Sequence, residues 1–179
     1  MLTTLSIIGR EMSKAGHAME GWLGQMILSL GVDEIRGGKG NDRIWGGPDG
    51  DFIWTGRGRD RAWGDGGDDR LESQALEGQG TTRLWGGEGD DDLVARLGTV
   101  VMRGDAGDDD FRVETAIGRE ADISIMDLEQ GESVEIAFLL GEGGSTAVRD
   151  GADTLITYAD LEVRLRNVDV DQLDFDELV

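Results

Sequence analysis

The chain has 179 residues, enough for one domain of ordinary size or one repeat array with its flanks. Its 38 acidic residues against 17 basic ones give a net charge of −21, which argues against nucleic acid or an anionic membrane surface as partner and for cations. There is no cysteine and a single histidine, His17, so disulfides, thiolate metal sites and most zinc chemistry are excluded, and hard cations bound by oxygen remain.

Leu5, Ile8, Met12, Ala15, Met19, Trp22 and Met26 recur at alternating spacings of three and four, which predicts an amphipathic helix ending before Gly31. Gly9, Gly16, Gly21 and Gly24 weaken it. The opening MLTTLSIIGREMSK has no basic stretch before its apolar run, which argues against a cleaved secretory signal. No apolar run approaches the ~18 residues of a membrane span.

From Gly37 the chain reads in nines as GGKGNDRIW, GGPDGDFIW, TGRGRDRAW and GDGGDDRLE. The longer SQALEGQGTTRLW follows, then GGEGDDDLV, ARLGTVVMR and GDAGDDDFR; a degenerate unit, LSLGVDEIR at 28–36, precedes them. Glycines early in each unit supply turns that approach a ligand closely or take positive φ. The last three residues of each unit predict a short strand whose middle side chain faces inward. Those positions are Ile35, Ile44, Ile53, Ala62, Leu71, Leu84, Leu93, Met102 and Phe111, all apolar, as a core column requires.

In this G-G-x-G-x-D-x-U-x pattern, with U a large apolar residue, the segment resembles the RTX (repeats-in-toxin, hemolysin-type calcium-binding) repeat family over about residues 28–112. The resemblance implies an all-β fold, a parallel β-roll of nonapeptide repeats with two nonapeptides to each turn. It also implies Ca2+ held between stacked turns by sixth-position aspartates and turn carbonyls. Asp33, Asp51, Asp69, Asp91 and Asp109 would stack on one edge; Asp42 and Asp60 would stack on the other, where the pattern fails at Thr82 and Val100. Roughly four to six ions follow from adjacent aspartate pairs. An N-terminal helical cap over 1–30 and a C-terminal β cap over 113–179 are expected to cover the ends of the 28–112 roll.

With SQALEGQGTTRLW counted as one unit carrying a four-residue insertion, Arg43, Arg61 and Arg83 fall on one sheet, and Trp45, Trp63 and Trp85 beside them, all pointing outward. Such rows of guanidinium and indole would bind a carboxylated polysaccharide, or would be covered by another part of the chain or a partner. The opposite face is mixed, with Trp54, Glu72, Val94 and Arg112 at position nine and Phe52, Arg70, Asp92 and Asp110 at position seven.

Beyond residue 112 the glycine register stops and alternation predicts strands in DISIM, SVEIAF, DTLITY and LEVRLR. The end, DQLDFDELV, is similar to the uncleaved type I secretion signals of RTX proteins, which implies export of the whole chain. No H-E-x-x-H, G-x-S-x-G or P-loop motif occurs and no EF-hand spacing fits, so no enzyme is expected. The expectation is a secreted, extracellular calcium-binding module that folds on Ca2+ and binds an anionic polysaccharide or cell surface through Arg43, Trp45, Arg61, Trp63, Arg83 and Trp85. The alternative is a structural or assembly component with that face covered by the N-terminal helix or a partner subunit.

Overall fold

The structure, a computed structural model, describes residues 4–7, 25–28, 31–74, 80–115, 121–129, 132–138, 146–158 and 161–166. Strands account for its regular structure, and among the described residues there is no helix. In chain order they are β1 (Thr4–Ile7), β2 (Gln25–Leu28), β3 (Glu34–Arg36), β4 (Arg43–Gly47), β5 (Phe52–Trp54), β6 (Arg61–Gly66), β7 (Arg70–Ser73) and β8 (Thr81–Glu88). Then come β9 (Asp92–Ala95), β10 (Gly98–Ala106), β11 (Asp110–Thr115), β12 (Ala121–Ile125), β13 (Ser133–Phe138), β14 (Thr146–Asp150), β15 (Asp153–Tyr158) and β16 (Leu161–Leu165).

From β2 to β13 successive strands alternate between two sheets, as a coil of two half-turns requires. One sheet runs β1-β2-β4-β6-β8-β10-β12-β16-β15-β14 and the other β13-β11-β9-β7-β5-β3. Through the array every pairing is parallel: Ile44 stands opposite Ala62, two nonapeptides on, and Ala62 opposite Leu84, two nonapeptides and the insertion on. The four extra residues are therefore absorbed between β7 and β8 without shifting the register, and every inward side chain stays inward. The nine predicted core residues are each 0–1 % exposed and form one continuous cluster between the sheets.

The expected N-terminal helix is not found at its two described ends. Leu5 and Met26, both on the expected apolar stripe, lie in β1 and β2, which pair in parallel; the stretch 8–24 between them lies outside the described residues. Met26 pairs with Ile44 and Ile27 with Trp45, so β2 is a degenerate half-turn of the same coil. The unpaired N–H and C=O groups of the β4 edge favour another strand at 25–28.

The C-terminal strands do not simply cover the last turn. β12 pairs with β10 and β13 with β11, both in parallel, so each sheet gains a further rung; β16 adds to β12 in parallel, and the β16–β15 and β15–β14 pairings are antiparallel. No helix among the described residues is long and apolar enough to cross a membrane.

Candidate metal centre

Each half-turn ends in a tight bend, and the bends stack along two edges of the coil. The longer edge carries Asp33, Asp51, Asp69, Asp91 and Asp109, the shorter one Asp42 and Asp60, as the sequence predicts. On the longer edge each carboxylate from Asp51 onward accepts, through Oδ1, the backbone N–H of the aspartate one turn earlier: Asp33 N–H to Asp51 at 2.7 Å, Asp51 to Asp69 at 2.6 Å, Asp69 to Asp91 at 2.8 Å and Asp91 to Asp109 at 2.9 Å. On the shorter edge Asp42 N–H donates to Asp60 Oδ1 at 2.9 Å.

The second oxygen decides what the edge can do. Oδ2 of Asp51, Asp69, Asp91 and Asp109 is buried without a hydrogen-bond partner, in residues no more than 3 % exposed. Each sits in a hollow left by the first glycine of its unit. A Cβ on Gly64 would lie 1.9 Å from Asp69 Oδ2 and 2.6 Å from the Gly86 carbonyl oxygen; one on Gly86 would lie 2.0 Å from Asp91 Oδ2 and 2.8 Å from the Gly104 oxygen. Space, not an unusual φ, requires glycine there. The second glycine position does need positive φ: Gly47 and Gly87 have it at 132° and 131°, and Asp65 and Asp105 take its place at 77° and 76°, a region aspartate tolerates.

Stacked carboxylates in such a place are electrostatically expensive. Burial pushes Asp51 and Asp60 up to about 6 and Asp69 and Asp91 up to about 7; the N–H of the preceding turn opposes the shift in each, and the neighbouring acids add to it at Asp51, Asp69 and Asp91. Asp33 and Asp109 are raised for the same first cause. Buried oxygens without partners, a glycine hollow and a facing carbonyl make an all-oxygen donor set, which suits a hard cation such as calcium. Among the described residues no three acidic or histidine side chains converge on one point, so such a shell uses backbone carbonyls as well.

The profile of the RTX calcium-binding nonapeptide repeat, four copies, matches residues 29–62, 45–75 and 83–113. These segments are RTX repeats. RTX nonapeptide repeats bind Ca2+, and the hollows of the longer edge fit that ion. The crystal structure of the extracellular lipase LipA from Serratia marcescens is similar at 12 % identity and a TM-score of 0.30, over 79 % of this chain and 40 % of the lipase. The chain thus spans less than half of that lipase, and the likeness is too distant to extend the lipase's activity here. No curated protein matches the sequence significantly.

On the shorter edge of the RTX array the row of carboxylates ends after Asp60. Thr82, fully buried, donates its hydroxyl to the Gly58 carbonyl at 3.2 Å, and Val100 stacks beyond it with no exposure. A hydrogen bond and then an apolar side chain stand where the pattern expects carboxylates.

The outward rows form as the repeat predicts. Trp45, Trp63 and Trp85 are half-buried and stack in order, their ring centroids 4.7 Å apart at each step and their planes within 10°. Arg43, Arg61 and Arg83 are register partners beside them. They line a groove of about 440 Å³ with Arg59, Asn41, Asp42 and Thr81. Arg59 was not singled out by the repeat; its stem packs on Gly80, where a Cβ would meet Nε at 2.0 Å. Among the described residues none of these four arginines forms a salt bridge.

The other face neutralises its own charges. Arg36 lies 4.5 Å over Trp54, Arg70 pairs with Asp92, and Arg112 Nε holds Glu135 at 2.8 Å. Arg96 Nε bridges Glu72 and Glu114, each at 3.2 Å.

Proposed function

We propose that the RTX array is a calcium-dependent binding module whose Arg–Trp face takes an anionic polysaccharide. The observation that carries this reading is the stack of three indoles beside four guanidinium groups that have no carboxylate partner among the described residues, in a chain of net charge −21. Where acids outnumber bases two to one, arginines left unpaired on one strip are available to an external anion. Sugar rings stack on the indoles while carboxylates take the planar fork of each guanidinium.

In this reading Asp33, Asp51, Asp69, Asp91 and Asp109, with Asp42 and Asp60, hold the ions, and residues 28–112 form the module that 1–30 and 113–179 flank. Bound calcium supplies positive charge between carboxylates that otherwise repel. The carboxylates and carbonyls meet only in the folded chain, so the coil is stable where calcium is plentiful and extended where it is scarce. That behaviour suits export through a type I route, with DQLDFDELV as the signal, and folding outside the cell; that segment lies outside the described residues.

The test is affinity electrophoresis through alginate or pectate in calcium-containing gels. The wild-type chain is expected to be retarded, and Trp63→Ala and Arg61→Ala each to weaken retention about ten-fold with the β signal unchanged. Equal mobility of wild type and both variants contradicts the reading. The rival, an assembly role in which a second subunit covers the same half-exposed indoles, predicts instead a calcium-dependent dimer that Trp63→Ala dissociates.

A further inference from the structure

The acidic row of the longer edge does not end with the glycine motif. β13 pairs with β11 so that Ser133 stands opposite Asp110, which puts Glu132 one rung beyond Asp109, in line with Asp33, Asp51, Asp69 and Asp91. Glu132 belongs to no nonapeptide, and the step to it is longer than the two nonapeptides that separate the regular rungs.

Asp109 is fully buried, and its Oδ2, without a hydrogen-bond partner, points into the hollow at Gly104, where a Cβ would lie 1.8 Å from it. In the inner hollows the facing wall is a glycine carbonyl of the next turn, 2.6–2.8 Å from the same Cβ position. At Gly104 the next turn brings the Asp127 carboxylate. Asp127 accepts the Gly104 N–H through Oδ1 at 3.1 Å, and through Oδ2 the Asp105 N–H at 3.0 Å and Arg103 Nε at 3.1 Å, so its oxygens are engaged in bracing the bend. Among the described residues Glu132 accepts the Glu129 N–H, at 2.5 Å, and has no cationic partner. Burial pushes Glu132 up to about 7, and the charges of Asp109, Asp127 and Glu129 add to the shift.

We propose that Asp109 and Glu132 hold a further calcium ion at the C-terminal end of the row, outside the nonapeptide motif, with Asp127 as the residue that positions the bend. The proposal rests on the reading of the aspartate row as the ion-binding row. It makes the segment after the last repeat part of the metal array, so that the coil is closed at this end by an ion and not by apolar packing alone.

The test counts calcium per chain after gel filtration in dilute calcium, with far-ultraviolet circular dichroism on the same samples. Glu132→Gln is expected to carry one ion fewer than wild type with its β signal intact. A wild-type count at wild-type affinity overturns the end site. If Glu132→Gln loses its β signal, Glu132→Asp decides: one ion weakened about ten-fold supports the site, because a shorter side chain reaches it poorly, and unchanged binding overturns it. Asp69→Asn is the control for the row, since a full count in that variant removes the reading on which the end site rests.

Discussion

Asp69→Ala is expected to raise the calcium concentration needed to fold the chain by about ten-fold or more and to lower the number of ions bound, while Asp108→Ala, on an exposed neighbour, leaves both near wild type. Asp69 does two things that alanine cannot. Its Oδ1 accepts the Asp51 N–H at 2.6 Å, and loss of that acceptor strands a buried donor at a cost of about 1–3 kcal/mol. Its Oδ2 lies in the Gly64 hollow, facing the Gly86 carbonyl, where it is one of the few anionic donors available to an ion. Because each turn uses the next one's carboxylate, the loss also loosens the Asp51 bend. An unchanged folding midpoint would remove the aspartate row from the account.

The second large effect is the dependence of the metal-free chain on pH. Asp51 and Asp60 titrate near 6, and Asp69, Asp91 and Glu132 near 7, where an unfolded aspartate has 3.8 and an unfolded glutamate 4.5. Between those values the folded chain binds more protons than the unfolded one, so the stability these groups contribute is present below about pH 4 and is lost as pH rises through 6 to 7. The metal-free chain is therefore expected to gain β signal as the pH is lowered from 7.5 to 5. With calcium the order reverses, since the ion requires the ionised carboxylates and is displaced by protons as the pH falls. A metal-free β signal that is larger at pH 7.5 than at pH 5 contradicts the burial that raises these groups.

Most of the coil is legible in the residues because its unit is short and its constraints are local. Every ninth residue is apolar from Ile35 to Leu71 and again from Leu84 to Phe111, and counting SQALEGQGTTRLW as one unit with four extra residues places Leu84 under Ala62. The same counting predicts the indole stack. What it misses has three physical origins. In β1 and β2 the apolar spacing of three and four fits a helix, yet the open edge of β4 selects a strand; the signal was Met26 standing two nonapeptides before Ile44. Glu132 follows a longer step in which the glycine register is lost, although acid–polar–apolar in Glu132-Ser133-Val134 repeats Asp109-Asp110-Phe111. Alternation also says which way a side chain points but not what lies over it: Glu72 and Val94 face outward and are 5 % and 0 % exposed. The fifth-position residues form a further rank that the motif does not announce, Asn41 accepting the Arg59 N–H at 2.9 Å and Asp90 the Asp108 N–H at 2.9 Å.

The account stands on calcium as the ion that makes this acidic coil stable, and the direct measurement is a calcium titration of the chelator-stripped protein at neutral pH, followed together by far-ultraviolet circular dichroism and tryptophan fluorescence. A cooperative gain of β signal, with the indole emission shifting at the same midpoint as Trp45, Trp63 and Trp85 stack, is the predicted result. A chain that shows its full β signal without calcium and no response to it would contradict metal-coupled folding.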